Sequence, residues 1–258
     1  MSISSATPES APPRISLGSS IAIASAGFLA PVTAARAFRR MLLLGIGFVA
    51  LVVVLSALDF LSPGELRSLR KFAIVPGIPV GAAILAEMAL RDAMTQRTLL
   101  YTLLGPVSRA RLAATRTVWT AMLLALGIAA LLVVLQMLVS SMDGLIQRLL
   151  AAVFGSLAYV GIFGWIHLLT RRGTIASLAL YATFDHAIGM LPFSIRMIAP
   201  SYHLRVLGDA QSAFPIPFLG EPAKSTPWLA SLVLLAIAAL ATFLTARLFA
   251  RKNLPELC

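Results

Sequence analysis

The sequence has little charge and almost no cysteine. Charged residues make up 12% of its 258 residues, whereas a soluble domain carries roughly 25%. The single cysteine, Cys258, excludes an internal disulfide framework and a cysteine-based metal site. Apolar residues reach 59% and the mean hydropathy is +0.91. This composition excludes an ordinary soluble domain and indicates an integral membrane protein.

Lysine is also scarce, and this bears on nucleotide binding. A P-loop needs a Gly-Lys-Ser/Thr run, because backbone N–H groups and the lysine together hold the phosphates. The lysines are Lys71, Lys224 and Lys252, and only Lys224 precedes a serine or threonine. Ala223 stands where the motif requires glycine. We therefore predict that any ATP used by this protein is bound by another chain.

Motifs for hydrolysis and for metal binding are absent as well. No Gly-x-Ser-x-Gly elbow occurs in the sequence, and no paired carboxylates stand at helical spacing within one apolar run. The histidines, His167, His186 and His203, lie far apart and show no ligand spacing. We predict a chain that is not an enzyme and that holds no metal and no cofactor of its own.

Long apolar runs take the place of these motifs. Several reach the ~20 residues that a spanning helix needs, and none alternates in polarity as the ~10-residue strands of an outer-membrane barrel do. We predict an all-α membrane protein with six spans, at about 41–60, 72–90, 115–141, 149–170, 174–192 and 228–247. Residues 1–20 are rich in serine and proline and are predicted to form a disordered cytoplasmic tail. Residues 21–258 then form one transmembrane domain.

The basic residues predict the orientation of these spans. Most of the 21 arginines and lysines fall in inner segments if both termini are cytoplasmic, which is what the positive-inside rule expects. They cluster at the ends of apolar runs without aromatic interleaving, so the net charge of +11 does not indicate a nucleic-acid partner. Residues 21–38 precede Arg39 and Arg40. We interpret them as an interfacial helix rather than a signal peptide, because a cleaved chain would begin with this basic cluster.

The connections are predicted from turn residues. A polar outer connection is expected at 61–71 with a turn at Ser62–Gly64, and Pro76 and Pro79 are expected to kink the second span. Tight turns are expected at Asp143-Gly144 and at 171–173. The outer connection 193–227 contains five prolines but also apolar residues. It either projects into water or dips back into the membrane.

Asp185 and His186 interrupt the predicted fifth span. They lie ~18 Å into a ~30 Å hydrocarbon core at 1.5 Å per residue, where ionisable groups are costly and suggest a transport pathway or a proton relay. The alternative is that the helix breaks here and that both side chains meet outer water or an arginine. Sequence alone leaves both interpretations open.

The stretch from Glu87 to Arg111 is a polar segment between two of the apolar runs. Glu87 and Arg91 stand at i and i+4, the spacing of a modest helical ion pair. Gly105-Pro106 ends any helix, and Ser108 is placed to cap the next one. We predict a short cytoplasmic helix that contacts a partner outside the membrane.

This stretch resembles a known family. Glu87, the run Arg97–Leu104 and the ending Pro106–Arg109 are similar to the segment after the second span of ATP-binding-cassette (ABC) type-2 permeases. Pro200–Leu204 resembles a motif in the long outer loop of that family. The basic interfacial helix, the six predicted spans and the short basic tail are similar too. The resemblance covers residues 20–255.

The resemblance implies a type V exporter-like permease in the bacterial inner membrane, with both termini cytoplasmic. Two permease subunits, identical or different, would pair in the bilayer, and each would dock a separate P-loop ATPase that binds ATP and Mg²⁺. The residues implied in ATPase coupling are Glu87, Arg91, Asp92, Arg97, Thr98, Leu99, Leu100, Tyr101, Leu103, Leu104, Pro106 and Arg109. Residues considered for a transport pathway are Asp185, His186, Tyr202 and His203.

Two other functions remain open from the residues alone. One is an ion-coupled secondary transporter that uses Asp185 and His186 and needs no ATPase. The other is a membrane assembly subunit that forms a stable complex without transporting anything. The substrate is not indicated by the spans themselves.

Overall fold

The computed structural model describes residues 36–92, 108–139, 143–191, 194–208 and 225–251, and every regular element in these ranges is helical. The elements in chain order are α1 (Arg36–Ala57), α2 (Pro63–Ile74), α3 (Gly77–Ala86) with a π-helical extension (Glu87–Asp92), α4 (Arg109–Leu138), α5 (Leu145–Leu169), α6 (Gly173–Leu180), a π-helical segment (Tyr181–Asp185), α7 (His186–Met190), a 3₁₀ turn (Ser194–Ile198), α8 (Pro200–Leu207) and α9 (Pro227–Arg251). The predicted all-α class is confirmed for this part of the chain.

Within the described ranges, four helical stretches are long and apolar enough to cross a membrane, which is consistent with a multi-pass membrane protein. They are Pro63–Ala89, Arg109–Leu138, Leu145–Leu169 and Pro227–Arg251. They overlap the predicted second, third, fourth and sixth spans, although the first stretch begins at Pro63 and not near position 72. The apolar part of α1, Leu42–Ala57, is shorter, and the predicted fifth span is divided between α6, the π-helical segment and α7. The count of six spans therefore stays a prediction.

The polar connection predicted at 61–71 is wrong, because α2 begins within it. Ser62 and Glu65 form a capping box: Ser62 N–H donates to the Glu65 carboxylate at 2.7 Å, and Glu65 N–H donates to Ser62 Oγ at 3.3 Å. Pro63 stands at the first helical position, where its missing N–H costs nothing. Two turn residues, Val75 and Pro76, separate α2 from α3 at the position where Pro76 is expected to kink the second span.

Other helix ends follow the local sequence. Ser108 adopts the extended conformation of an N-cap before α4, although its side chain makes no capping hydrogen bond. The turn predicted at Asp143-Gly144 is present, and Gly144 has a φ of 67°, which glycine adopts without steric cost. The turn predicted at 171–173 is also present, with α6 starting at Gly173. Residues 21–35 of the interfacial helix predicted at 21–38 lie outside the described ranges.

Helix α5 is the centre of the bundle and packs against α3, α4, α8 and α9. Two glycines of α5 allow α8 and α9 to pack closely against it. A Cβ on Gly155 would lie 2.5 Å from Leu204 Cδ2 of α8, and one on Gly161 would lie 3.0 Å from the Ala241 Cβ of α9. Small residues at helix contacts are typical of bundles in lipid, where close backbone packing replaces the hydrophobic effect. Helix α1 packs less extensively, mainly through Val52 against Leu66 and Leu135.

Helix α8 lies within the connection predicted at 193–227. All of its residues from Ser201 to Leu207 are buried, and it contacts α5, α7 and α9. This part of the connection thus packs into the bundle instead of projecting from it. Residues 209–224 lie outside the described ranges.

Candidate functional site

The predicted fifth span changes its helical geometry at the residues that carry its charge. Helix α6 passes into a π-helical segment, Tyr181–Asp185, and α7 starts at His186. A π-helical turn inserts one extra residue per hydrogen-bonded ring, so it redirects the side chains that follow. The helical backbone therefore continues through Asp185 and His186 and does not break there.

Asp185 joins three elements of the bundle. Its Oδ2 accepts a hydrogen bond from the Tyr159 hydroxyl of α5. Its Oδ1 accepts the Ser201 backbone N–H of α8 at 3.0 Å, while Ser201 Oγ donates to the Asp185 carbonyl at 2.8 Å. The carboxylate thus satisfies one of the N–H groups left free in the first turn of α8. The described residues place no cation within 4.0 Å of it.

Gly189 makes the contact between α7 and α8 possible. A Cβ at this position would lie 2.3 Å from Ser201 Oγ and 3.3 Å from Tyr202 N. Both distances are shorter than ordinary van der Waals contact. The absence of a side chain at Gly189 therefore brings Ser201 within hydrogen-bonding reach of Asp185.

His186 belongs to a neighbouring set of polar contacts. Arg205 of α8 donates from Nη2 to His186 Nδ1 at 3.0 Å and from Nη1 to the Gly189 carbonyl at 3.1 Å. Because Nδ1 accepts the bond from arginine, His186 is neutral in this arrangement. The Tyr181 hydroxyl donates to the Val75 carbonyl at 3.0 Å. The alternative interpretation named an arginine partner and a helix break, and of these the arginine partner is found, for His186 alone.

Tyr202 and His203 lie on the same short helix but have different partners. The Tyr202 hydroxyl accepts the Ser225 N–H at 3.1 Å, and Arg196 stacks 4.7 Å from the centre of its ring. His203 Nε2 donates to the Met197 carbonyl at 2.7 Å, and burial lowers the pKa of His203. These two side chains hold the connection together.

An apolar cavity of about 200 Å³ lies beside Asp185. It is formed by α5, the segment from α6 to α7, and the approach to α8. Its lining residues are Tyr159, Ile162, Phe163, Leu180, Tyr181, Phe184, Asp185, Ile188, Ile198, Ala199 and Pro200. Phe184 and Ile198 are 61% and 73% exposed, so the cavity opens between apolar side chains on the surface of the bundle. Among these lining residues, Asp185 is the only one with a carboxyl group.

The residues predicted for ATPase coupling are described only at the two ends of their stretch. Glu87 Oε2 lies 3.9 Å from His167 Nε2 of α5, and Arg116 of α4 donates to the Ala89 carbonyl at 3.3 Å. Arg91 and Asp92 fall in the π-helical extension of α3, and Arg109 is the first residue of α4. The other residues of the prediction, from Arg97 to Pro106, lie outside the described ranges.

A second buried polar cluster was not predicted from the sequence. Arg70 of α2 and Arg148 of α5 both donate to Gln136 Oε1 of α4, each at 2.8 Å. Arg148 also donates to the Asp143 carbonyl at 2.6 Å. Gln136 could have indicated this cluster, because it is the single amide in an uncharged run that spans 117–142. An amide side chain within such an apolar run needs polar partners.

Comparisons with known proteins identify no relative of this chain. No family model, no curated protein and no solved structure matches the chain.

Proposed function

We propose that this chain is the transmembrane permease subunit of an ATP-driven transporter of the ABC type-2 class, working as an exporter. The observation that carries this proposal is the stretch Arg97–Arg109, which resembles the ATPase-docking segment of those permeases. The chain has no P-loop, so the ATPase is a separate subunit, in two copies beside a pair of permeases. In this arrangement the complex lies in the inner membrane with the termini of the chain in the cytoplasm.

The helices on either side of that stretch support a lever mechanism. The stretch joins the end of α3 to the start of α4, two long helices of the bundle. Near this junction Arg116 bonds the Ala89 carbonyl, and Glu87 approaches His167 at the end of α5. A displacement of the stretch would therefore act on three packed helices at once. Such helices move as rigid elements when ATP binding closes the ATPase subunits.

The docking chemistry follows from the side chains of the stretch. Leu99, Tyr101 and Leu103 are apolar groups that would fill a cleft of the ATPase, while Arg97 and Arg109 would form charged contacts at its rim. Buried apolar anchors with a charged rim are the usual arrangement of a protein interface.

The test is co-purification of the ATPase. When the wild-type chain is purified from the membrane of its native host, it should retain a P-loop protein that hydrolyses ATP. The double substitution Leu99→Asp with Leu103→Asp should remove this protein and leave membrane insertion intact, because a carboxylate cannot be buried unpaired in the cleft. Thr102→Asp, which adds the same charge at an unassigned position, is the matched control. Full retention of the ATPase by the double variant contradicts the docking assignment.

A second function is favoured by one observation, the carboxylate of Asp185 held within the bundle by Tyr159 and Ser201. An ion-coupled carrier would use such a group to bind and release a proton or cation. This function predicts flux driven by an ion gradient in vesicles that contain the chain and no ATPase. Asp185→Asn would abolish that flux. ATP-dependent flux that persists without any gradient favours the permease instead.

A further inference from the structure

We propose that the cavity beside Asp185 binds one acyl chain of a bilayer phospholipid, which enters between Phe184 and Ile198 and packs against α5. The site recognises the chain as a neutral hydrocarbon, and the lipid headgroup takes no part in it. This inference goes beyond the proposed transport function and does not depend on an ATPase.

The polar groups of the cavity lining are bonded to other groups of the protein. The Tyr159 hydroxyl and the Ser201 N–H each donate to one oxygen of Asp185. The Tyr181 hydroxyl donates to the Val75 carbonyl at 3.0 Å. The surface that is left for a ligand is therefore almost entirely apolar. A charged or hydrogen-bonding ligand would lose its own polar partners on entry and find no others, so the site favours a hydrocarbon.

The same lining disfavours water and an empty state. A buried water needs about two to four polar partners, and the lining offers almost none. An empty cavity leaves the atoms of its wall without the dispersion contacts that close packing supplies. Lipid chains are as apolar as this lining, so the filling of the gap, and not the hydrophobic effect, favours the bound chain.

The lining residues range from exposed to buried, which shows that the cavity extends into the bundle. Phe184 and Ile198 are exposed, whereas Tyr159 and Phe163 of α5 are each only 1% exposed. A lipid that only covers the outside of the bundle contacts Phe184 but does not reach Phe163. Contact between an acyl chain and Phe163 therefore identifies a chain that has entered the cavity.

The mouth and the size of the cavity indicate a chain from the bilayer as the occupant. Leu180, Phe184 and Ile198 are lining residues with exposed apolar side chains, and on a membrane-spanning bundle such a surface contacts lipid. The volume of about 200 Å³ exceeds that of an apolar cavity of about 150 Å³ that binds benzene, so it holds several methylene groups. A helix from a second copy does not fit, because its diameter with side chains is about 10–12 Å.

The competing explanation is that the cavity is a packing gap that lipid covers from outside without entering. Both explanations account for the apolar lining and for the exposed residues at the mouth. They differ at the inner wall, because only a chain inside the cavity contacts the buried side chains of α5.

The experiment uses the full chain in phosphatidylcholine nanodiscs in which a small fraction of the lipid carries a photoreactive diazirine near the end of one acyl chain. After irradiation, the labelled residues are identified by proteolysis and mass spectrometry. We expect label on Phe163 or Tyr159 and on Leu232, an exposed residue of α9 that reports ordinary contact with lipid. Leu234, two residues further along α9, is fully buried, does not line the cavity and should stay unlabelled.

Two outcomes of this experiment overturn the proposal. One is label on Leu232 without label on Tyr159 or Phe163, which shows that lipid stays outside the bundle or that another segment or a second copy closes the mouth. The other is equal label on Phe163 and Leu234, which shows that the label reaches buried residues without a cavity.

Two variants complete the test. Ile188→Trp places a larger side chain in the lining and should abolish the label on Phe163 while the label on Leu232 is unchanged. Ile175→Trp, the same change at an exposed residue of α6 outside the lining, is the matched control and should be labelled as the wild type is. Unchanged label on Phe163 in folded Ile188→Trp overturns the proposal. Should that variant fail to fold, the wild-type comparison of Phe163 with Leu234 decides.

Discussion

Gly189→Ala is the substitution that most directly tests how α7 and α8 meet. The new Cβ would lie 2.3 Å from Ser201 Oγ, far shorter than a carbon–oxygen van der Waals contact. Ser201 must therefore move away, and its two hydrogen bonds to Asp185 lengthen or break. The substitution leaves every member of the polar cluster in place and changes only the space between the two helices.

The expected cost follows from the bonds that are lost. A backbone N–H bonded to a carboxylate contributes about 1.5–3 kcal/mol, and a hydroxyl bonded to a carbonyl contributes about 0.5–1.5 kcal/mol. Alanine is more favourable than glycine inside a helix by about 1 kcal/mol, which offsets part of this loss. We expect Gly189→Ala to lower the free energy of unfolding by about 1–3 kcal/mol.

The assay is reversible unfolding in mixed detergent micelles, followed by circular dichroism. Gly127→Ala is the control, because a Cβ on Gly127 of α4 meets nothing within 4 Å. It should keep or raise the stability, by at most about 1 kcal/mol. The pair compares the same chemical change at a crowded site and at an open one.

A double-mutant cycle with Ser201→Ala sharpens the result. Without Oγ, the shortest contact left for the new Cβ is 3.3 Å to Tyr202 N, which a small adjustment relieves. Gly189→Ala should therefore cost clearly less in the Ser201→Ala background than in the wild type. Equal costs in both backgrounds, or a wild-type cost as small as that of Gly127→Ala, would refute the packing described for α7 and α8.

Two further substitutions test other parts of the bundle in the same unfolding assay. Gln136→Leu removes the oxygen shared by two buried guanidinium groups and should cost about 2–4 kcal/mol, whereas Met137→Leu on the exposed face should cost little. A loss equal to that of Met137→Leu would show that the shared oxygen does not stabilise the cluster. Ser62→Ala removes the side chain that caps α2 and should cost about 1 kcal/mol, whereas Ser68→Ala, which removes one exposed bond to a carbonyl, should be close to neutral. Indistinguishable midpoints for the two serine variants would contradict the capping role.

The helix boundaries show how far short-range patterns reach. The turn at Asp143-Gly144 and the start of α4 after Ser108 were predicted from one or two residues each. The start of α2 was missed, although Ser62 and Glu65 carry the spacing of a capping box. Each of these features depends on residues within one turn of one another, so the sequence contains all the information needed to predict it.

The candidate site is less predictable because its members come from separate helices. Asp185 stood out as a charge in an apolar run, and so did His186. Nothing in the sequence indicates Tyr159 or Ser201 as partners of Asp185, since they lie 26 and 16 residues away. Tyr159 and Ser201 are ordinary residue types in a membrane helix, and their role depends on which helix faces which.

The sequence by itself determined the class of the molecule: an all-α chain with runs that suit a bilayer, ended by turn residues and basic clusters. It did so because hydropathy and helix capping act over a few residues. Only the tertiary structure decided that α8 enters the bundle, that Gly189 admits Ser201 to Asp185, and that Gln136 joins Arg70 across 66 residues. These contacts depend on the packing of helices that are distant in the chain, and local patterns do not encode which pairs of helices meet.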